Sequence, residues 1–328
     1  MSTFLAVRQV RRPQGTPSAE DFTVVTESLP ALADGQVLVE NVHLSVDPYM
    51  RQLMNTGEAG TEGRAIGRVV ESRAPELPVG TTVFHRGGWS THAVAGAGEV
   101  RRVHQAEGVP LSAYLGVLGG TGLTAFVGLT RIAALQPGED LFVSAAAGGV
   151  GSAAGQIARL MGAGRIIGSA GSAAKVAHLK EIGFDAAFDH RAGPVGEQLA
   201  QAAPDGIDVY LDNVGGDHLA AAIDALRPHG RIAWSGAIAQ YSSAPPAAPH
   251  NLADVMFKSL RLEGFLVREH LDARERFEQF LVPHVQNGTV RASETVVDGF
   301  ENVVEAFLGV LRGDNIGKML VRVAATED

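Results

Sequence analysis

Residues 141–161 read Leu141-Phe-Val-Ser-Ala-Ala-Ala-Gly-Gly-Val-Gly-Ser-Ala-Ala-Gly-Gln-Ile-Ala-Arg-Leu-Met161, and their order decides the fold. A short apolar strand, Leu141 to Val143, runs into a glycine-rich turn and then into a helix of small residues. Gly148, Gly149 and Gly151 let the backbone approach a ligand where side chains would collide. A helix beginning near Gly151–Ser152 would turn unpaired N–H groups and its positive dipole end toward a dinucleotide pyrophosphate. Val150 lies inside the same turn. Ala146 stands at the first glycine position of Ala146-x-Gly148-x-x-Gly151, a departure from strict G-x-G-x-x-G, so the strand before and the helix after carry much of the inference.

The remaining chain sets bounds around this motif. Its 328 residues suffice for two domains with substantial cores. With 45% hydrophobic and 19% charged residues the composition is that of an ordinary globular protein. A net charge of −9 leaves no basic stripe to replace phosphate counterions, which argues against nucleic acid as a partner. Cysteine is absent, which removes disulfides, thiol nucleophiles and thiolate-bound zinc and fits a reducing compartment. No apolar run is long enough to span a bilayer and the N-terminus carries no basic-then-apolar signal; the expectation is a cytoplasmic protein without a membrane partner.

The first hundred residues are strand-rich. Thr23–Thr26, Gln36–His43, Arg64–Glu71, Thr82–Phe84 and Thr91–Ala95 alternate with Pro, Gly, Asp and Asn. From Leu115 onward apolar helices and strands alternate: Arg165–Ser169 as a strand, Ser172 to Ile182 as a helix closed by Gly183, and strands at Ala186–Phe188, Asp208–Asp212 and Gly230–Ser235. A helix at Asp217–Leu226 separates the last two. This alternation predicts an α/β fold with a doubly wound parallel sheet covered on both faces. Ala237–His250 is a Pro- and Ala-rich loop just past a strand end, where ligands of such sheets bind. The tail returns to strands, Thr289–Val297 and Gly317–Val323, around a helix at Glu301–Arg312.

Several phrases then occur in order: Ser45-Val-Asp-Pro-Tyr-Met-Arg51, Gly119-Gly-Thr-Gly-Leu-Thr-Ala125, the glycine turn, Gly168-Ser-Ala-Gly-Ser172 with Lys175, Asp212-Asn-Val-Gly-Gly216, Ser235-Gly-Ala-Ile-Ala-Gln-Tyr241 and Gly313-Asp-Asn-Ile-Gly-Lys318. Together they resemble the zinc-independent medium-chain dehydrogenase/reductases, in the branch of the NADPH-dependent alkenal/one double-bond reductases that includes the prostaglandin reductases. The resemblance covers nearly the whole chain. It implies a GroES-like β-barrel-type domain from residues 1–118 and 290–328, with a Rossmann domain at 119–289. It also implies a homodimer joined at the edge strands of the two Rossmann sheets, for which Leu260–Val267 is the candidate segment.

The cofactor can be read from the second strand. An acidic residue there usually holds the ribose hydroxyls of NAD. Here the strand runs into Gly168-Ser-Ala-Gly-Ser172 without Asp or Glu, and Lys175 follows one helical turn later. Alone, Lys175 reads as a solvated helix lysine; the missing acid turns the reading toward a 2′-phosphate and NADPH/NADP+. By resemblance Lys175 and residue 190 contact that phosphate, and His190 stands where the family generally has Tyr; a protonated His190 would hold it more tightly. Ser152, Ser169, Asn213, Ser235, Ala237, Ile238, Tyr241, Phe265, Val267 and Asn315 match further cofactor-contacting positions. Asn213 and Asn315 serve equally well as turn residues beside Gly or Asp.

Chemistry without a metal follows from the text around the usual ligands. Ala65-Ile-Gly-Arg-Val-Val-Glu71 lacks the early Gly-His-Glu of zinc-dependent relatives, and His85 and His92 have no carboxylate at ligand spacing, so structural roles are expected for both. What remains is hydride transfer to an acceptor polarised by protein donors. For a conjugated carbonyl, hydride adds at the β-carbon and charge develops on the carbonyl oxygen. Tyr241 is the leading donor and Tyr49 the second, more suited to lining the substrate pocket; either could instead pack one side and wet its hydroxyl. Thr121 and Thr124 are expected near the nicotinamide or in capping and packing roles. Relative to the family, Gln52–Gly63 is short and Ala239–His250 is less polar, which implies a differently shaped substrate cleft. Two other readings stay open: a quinone oxidoreductase, and an NADP-binding protein without catalysis.

Overall fold

The computed structural model describes residues 3–56, 62–241 and 248–323. In chain order its strands are β1 (Thr3–Gln9), β2 (Phe22–Ser28), β3 (Gln36–Ser45), β4 (Ala65–Ser72), β5 (Thr82–His85), β6 (His92–Gly96), β7 (Arg101–Arg102), β8 (Leu141–Val143), β9 (Ile166–Ala170), β10 (Ala186–Asp189), β11 (Ile207–Asp212), β12 (Leu226–Trp234), β13 (Arg261–Gly264), β14 (Glu294–Asp298) and β15 (Lys318–Arg322). The helices are α1 (Met50–Leu53), α2 (Gly120–Val127), α3 (Gly149–Leu160), α4 (Ala173–Glu181), α5 (Val195–Ala202), α6 (Gly216–Ala225), α7 (Asp254–Phe257), α8 (Arg274–Gln286) and α9 (Val303–Arg312). They fall into two compact units, one holding residues up to 115 with 294–315 and 319 onward, the other holding 116–293 with 316–318.

In the second unit the strands form a parallel sheet in the order β10-β9-β8-β11-β12-β13. The chain builds outward from β8 to β10, then returns to the other side of β8 and builds outward again. The reversal between β8 and β11 opens the crevice in which doubly wound sheets bind ligands. β8 and β9 are buried along their whole length, as a sheet covered on both faces requires. Phe142 stacks on Phe188 at 5.9 Å and on Tyr210 at 5.0 Å, binding β10, β8 and β11 through one aromatic row. Each such pair adds about 1 kcal/mol beyond its buried area.

The first unit is an antiparallel assembly. β3 pairs with β4 and β6, β4 with β5, β5 with β7, and β15 with β3; β1 and β2 make a separate two-stranded sheet. Its core gathers Phe22, Trp89 and Phe307, with ring centroids 5.4–6.1 Å apart. Phe307 comes from α9, which buries Val303, Ala306, Phe307 and Val310 and stops at Gly313 in the left-handed region.

Three sequence expectations change. α3 begins at Gly149, two residues before Gly151, with extended Gly148 as its cap; glycine's low helix propensity concealed the first turn. The strand expected at Thr289–Val297 is confined to Glu294–Asp298. The preceding residues instead close the end of α8, where Val290 N–H donates to His284 O at 2.8 Å and Thr289 N–H to Asn287 Oδ1 at 2.9 Å. α8 itself was not expected, since Pro283 interrupts its pattern; Phe277 and Leu281 bury its inner face. Residues 57–61 and 242–247, parts of the two segments assigned to the substrate cleft, lie outside the described residues.

Candidate active site

The glycine turn leaves β8 through Ser144 and reaches α3 at Gly149. Ala145 takes a positive φ of 47°, a conformation that turns the chain sharply. Ser152 N–H is paired with Gly148 O at 2.9 Å. The N–H groups of Gly149, Val150 and Gly151 precede that bond and are the unpaired donors of a helix start. A Cβ on Gly151 would stand 2.5 Å from Ala146 Cα and 2.6 Å from Ala145 O, so only glycine closes the turn this tightly. The irregular Ala146 has a matching partner: a Cβ on Gly168 of β9 would lie 2.8 Å from the Ala146 methyl. The glycine missing from the turn has its counterpart on the neighbouring strand. Ala146 N–H donates to Ser169 O at 2.8 Å, and Gly317 N–H to Ala147 O at 2.7 Å, fixing the turn from two sides.

Ser169 also holds the turn. Its side chain is fully enclosed, with Oγ unpartnered, and it serves the turn through its carbonyl. Ser152 is likewise buried; its hydroxyl donates to Gly148 O at 2.8 Å and steadies the first helical turn.

At the end of β9 the chain passes Ala170 and Gly171 to Ser172, whose Oγ caps α4 by accepting Lys175 N–H at 3.3 Å. Parallel pairing of β9 with β10 sets Ala170 against Asp189 and brings the next residues of β10 alongside. Measured from a Cβ built on Gly171, His190 Cε1 is 3.1 Å away and Arg191 Nε 3.3 Å. Burial pushes the His190 pKa below the ordinary histidine value, and the charges of Arg191 and Lys175 add to it. Arg191 escaped sequence reading because only the strand register carries it to the end of β9. The signal that could have found it was a second cation beside His190.

At the switch point, β8 and β11 are joined by side chains. Buried Asp212 accepts through Oδ1 from Tyr210 Oη at 2.7 Å, Ser144 Oγ at 3.2 Å, and the Val214 and Gly215 N–H groups at 2.8 Å. Burial outweighs these donors and raises the carboxyl pKa. Ser144 Oγ accepts Asn213 N–H at 2.9 Å, and the Asn213 side chain donates to Ser144 O at 2.7 Å. Ser235 Oγ donates to Asn213 Oδ1 at 2.7 Å, extending the network to the end of β12. Ala237 and Ile238 follow, and Ala237 N–H donates to Tyr241 Oη at 3.3 Å. A hydroxyl that accepts keeps its own hydrogen for donation. Burial pushes the Tyr241 pKa upward, so the phenol stays protonated. Phe265, at the end of β13, is buried with its ring against Gly128, while Val267 is half-buried beyond it. Thr121 and Thr124 donate back to Gly116 O at 2.7 Å and Gly120 O at 2.8 Å, with the Thr121 methyl beside Gly149.

The parallel sheet thus brings Gly148 to Ser152, Lys175, His190, Asn213, Ser235 to Ile238, Tyr241, Phe265 and Val267 to the carboxyl ends of its strands. Tyr49 and Asn315 belong to the other unit. Tyr49 caps α1 and its Oη donates to Glu62 Oε2 at 3.0 Å; Arg64 lies 5.4 Å over its ring, and Glu62 is also paired with Arg86. Burial drives the Tyr49 pKa far above the ordinary phenol value. Its hydroxyl is already committed to a carboxylate, unlike that of Tyr241.

His85 has both ring nitrogens engaged: Nδ1 accepts Gly87 N–H at 3.0 Å, so Nε2 donates to Asn41 Oδ1 at 2.7 Å. Burial lowers its pKa to about 4, and it is a neutral structural histidine. Among the described residues no group of three or more His, Asp and Glu side chains is arranged to hold a metal. No helix among them is long and apolar enough to cross a membrane.

Fold and crevice define the class: a dinucleotide-dependent oxidoreductase with a parallel Rossmann sheet and a separate antiparallel unit. Residues 6–103 match the family described as N-terminal domain of oxidoreductase, and residues 149–287 the family described as zinc-binding dehydrogenase. Prostaglandin reductase 1 of Bos taurus is 42% identical over 315 residues, covering 94% of this chain and 95% of that protein. The NADP(+)-dependent 2-alkenal reductase of Nicotiana tabacum is 36% identical, covering 88% and 87%. The crystal structure of CurA from Vibrio vulnificus in complex with NADPH superposes with a TM-score of 0.92 at 34% identity, covering 98% of this chain and all of that one. The chain belongs to the zinc-independent medium-chain dehydrogenase/reductases, among their NADPH-dependent reductases.

Proposed function

We propose that this protein reduces the carbon–carbon double bond of α,β-unsaturated aldehydes or ketones with NADPH, without a metal ion. The observation that carries the reading is the set of groups at the sheet's carboxyl ends. Backbone donors of Gly149, Val150 and Gly151 suit a pyrophosphate, and Lys175, His190 and Arg191 surround a strand end without a carboxylate. The donor set fits a dinucleotide bearing a 2′-phosphate. The prostaglandin and 2-alkenal reductases among its relatives support the substrate class.

When bound, the nicotinamide would supply a hydride to the β-carbon, and a proton delivered to the α-carbon, by Tyr241 or by water, would complete the saturated carbonyl product. The chain itself must place the carbonyl oxygen, where negative charge develops, against a donor, because a preorganised donor lowers that barrier. Tyr241 suits this role, since its oxygen is oriented by Ala237 N–H and its hydrogen is kept for donation. Asn213 and Ser235 hold the crevice rim through the Ser144–Asp212 network. Tyr49 is assigned to the wall of the substrate pocket, and the domain proposed at 1–118 and 290–328 is read as the substrate domain. The proposed location is the cytoplasm.

Assembly as a homodimer through the edge strand β13 belongs to the same reading. Met256 and Phe257, just before β13, are 69% and 75% exposed, an apolar surface that a second copy would cover.

The test is a panel of enals, enones and quinones followed by NADPH consumption and product analysis. Saturated aldehydes and ketones are the expected products. Hydroquinones alone would overturn the assignment in favour of a quinone oxidoreductase, and NADP+ binding with no turnover would favour a non-catalytic role.

A further inference from the structure

We propose that recognition of the 2′-phosphate is proton-coupled in this protein: as the dianion enters beside Gly171, His190 takes up a proton and becomes, with Lys175 and Arg191, a third cation of the site. This rests on the NADPH reading above and specifies how the site discriminates.

Geometry comes first. His190 is tied to the end of β9 by its N–H, which donates to Ala170 O at 2.9 Å. The Cε1 edge of its ring faces Gly171, with Arg191 on the same side. The groups acting on the imidazole come from each neighbouring element. Lys175 is on α4, Asp189 and Arg191 flank it on its own segment, and His218 is on α6. Asp189 is partly occupied, since its Oδ1 accepts Arg191 N–H at 3.0 Å. α5 presents Gln198, which donates to Asp189 O at 3.0 Å. The His218 ring meets His190 edge-on, with centroids 5.2 Å apart. Each ring has a shielded nitrogen without a partner, Nδ1 of His190 and Nε2 of His218.

This arrangement is frustrated in the free protein and relieved by an anion. Burial, with Arg191 and Lys175, outweighs the Ala170 carbonyl and Asp189, which favour the imidazolium, and holds the His190 pKa below the ordinary histidine value. His218 is buried, with its pKa lowered to about 4, and stays neutral throughout. A phosphate dianion at Gly171 reverses the local field and favours imidazolium. The bound pKa then lies above the free one. Affinity must rise as pH falls through the bound pKa and level off below the free pKa. A neutral tyrosine in this place would hydrogen-bond the phosphate with no such dependence, its own pKa being about 10.

Calorimetric titration of the whole chain with NADP+ and with NAD+, in buffers of different ionisation enthalpy, counts the protons. The phosphate has its own second pKa of about 6 and sheds residual protons on meeting cations. His190→Tyr, with His190→Gln as a second variant, supplies the reference that removes this contribution. At pH 7.5 the native chain should take up roughly 0.3–1 proton more per NADP+ than either variant, with no difference for NAD+. Its NADP+-to-NAD+ affinity ratio should fall roughly tenfold more than the variants' ratio between pH 6 and 8. Equal proton uptake in native and variant chains, with NADP+ still preferred, overturns the proposal. NADP+ binding no tighter than NAD+ overturns the underlying NADPH reading instead.

Discussion

In the proposed site the turn after β8 and the loops after β9 and β10 would hold two parts of one ligand by opposite means. The turn is built of backbone: N–H groups of Gly149 to Gly151, a helix start and a close approach at Gly151. The neighbouring loops are built of side chains, with Lys175, His190 and Arg191 around Gly171. Backbone donors carry no titratable group and serve any dinucleotide alike. Side chains can be exchanged one at a time, so they are where a chain chooses between dinucleotides. On the proposed reading, discrimination would be adjustable while the cradle is fixed.

The sharpest way to break this comparison is Gly151→Val. Its side chain must displace backbone at Ala145 and Ala146, for a cost of about 3 kcal/mol. Thermal unfolding should register that loss, and affinities for NADPH and NADH should fall together. A selective loss of NADPH would mean that the turn discriminates after all. Tyr241→Phe extends the side-chain class to the reaction itself: turnover should drop about a hundredfold with NADPH affinity almost unchanged. Unchanged turnover in steady-state assays would remove Tyr241 from its role. Lys175→Ala should weaken NADPH about thirtyfold, the scale of one charge-assisted hydrogen bond, and leave NADH where it was. Equal weakening of both in fluorescence titrations would defeat the 2′-phosphate assignment. The smallest effect comes from the boundary of the two regions. Gly168→Ala should destabilise by about 1–2 kcal/mol through the Ala146 methyl, Leu179 and Phe184. Combining it with Ala146→Gly should recover part of that loss in chemical denaturation, and strict additivity would deny the contact.

The same contrast explains what the chain disclosed before folding. The strand–turn–helix at 141–161 was legible because glycine spacing reports backbone need directly. The missing acid after β9 and Lys175 were legible too, since both are local. Arg191, His218 and the Glu62 partner of Tyr49 were not. They reach their sites through strand register or loop return, across gaps that no local pattern spans. β1 was missed because Arg8 and Gln9 end its apolar text early, although its pairing with β2 runs to Gln9. The burial of the Ser169 side chain was not legible either, because it is settled only by the packing of β9.

Gly317 adds an element of time. Its N–H holds Ala147 O, and it bridges Gly148, so the cradle is finished by a residue that follows every strand of the parallel sheet. On the ribosome, β8 to β13 emerge well before this last strap. A nascent chain can assemble its sheet and still present an unfinished turn, because contacts this distant in sequence form late. Competence for the cofactor would then lag behind assembly of the parallel sheet itself.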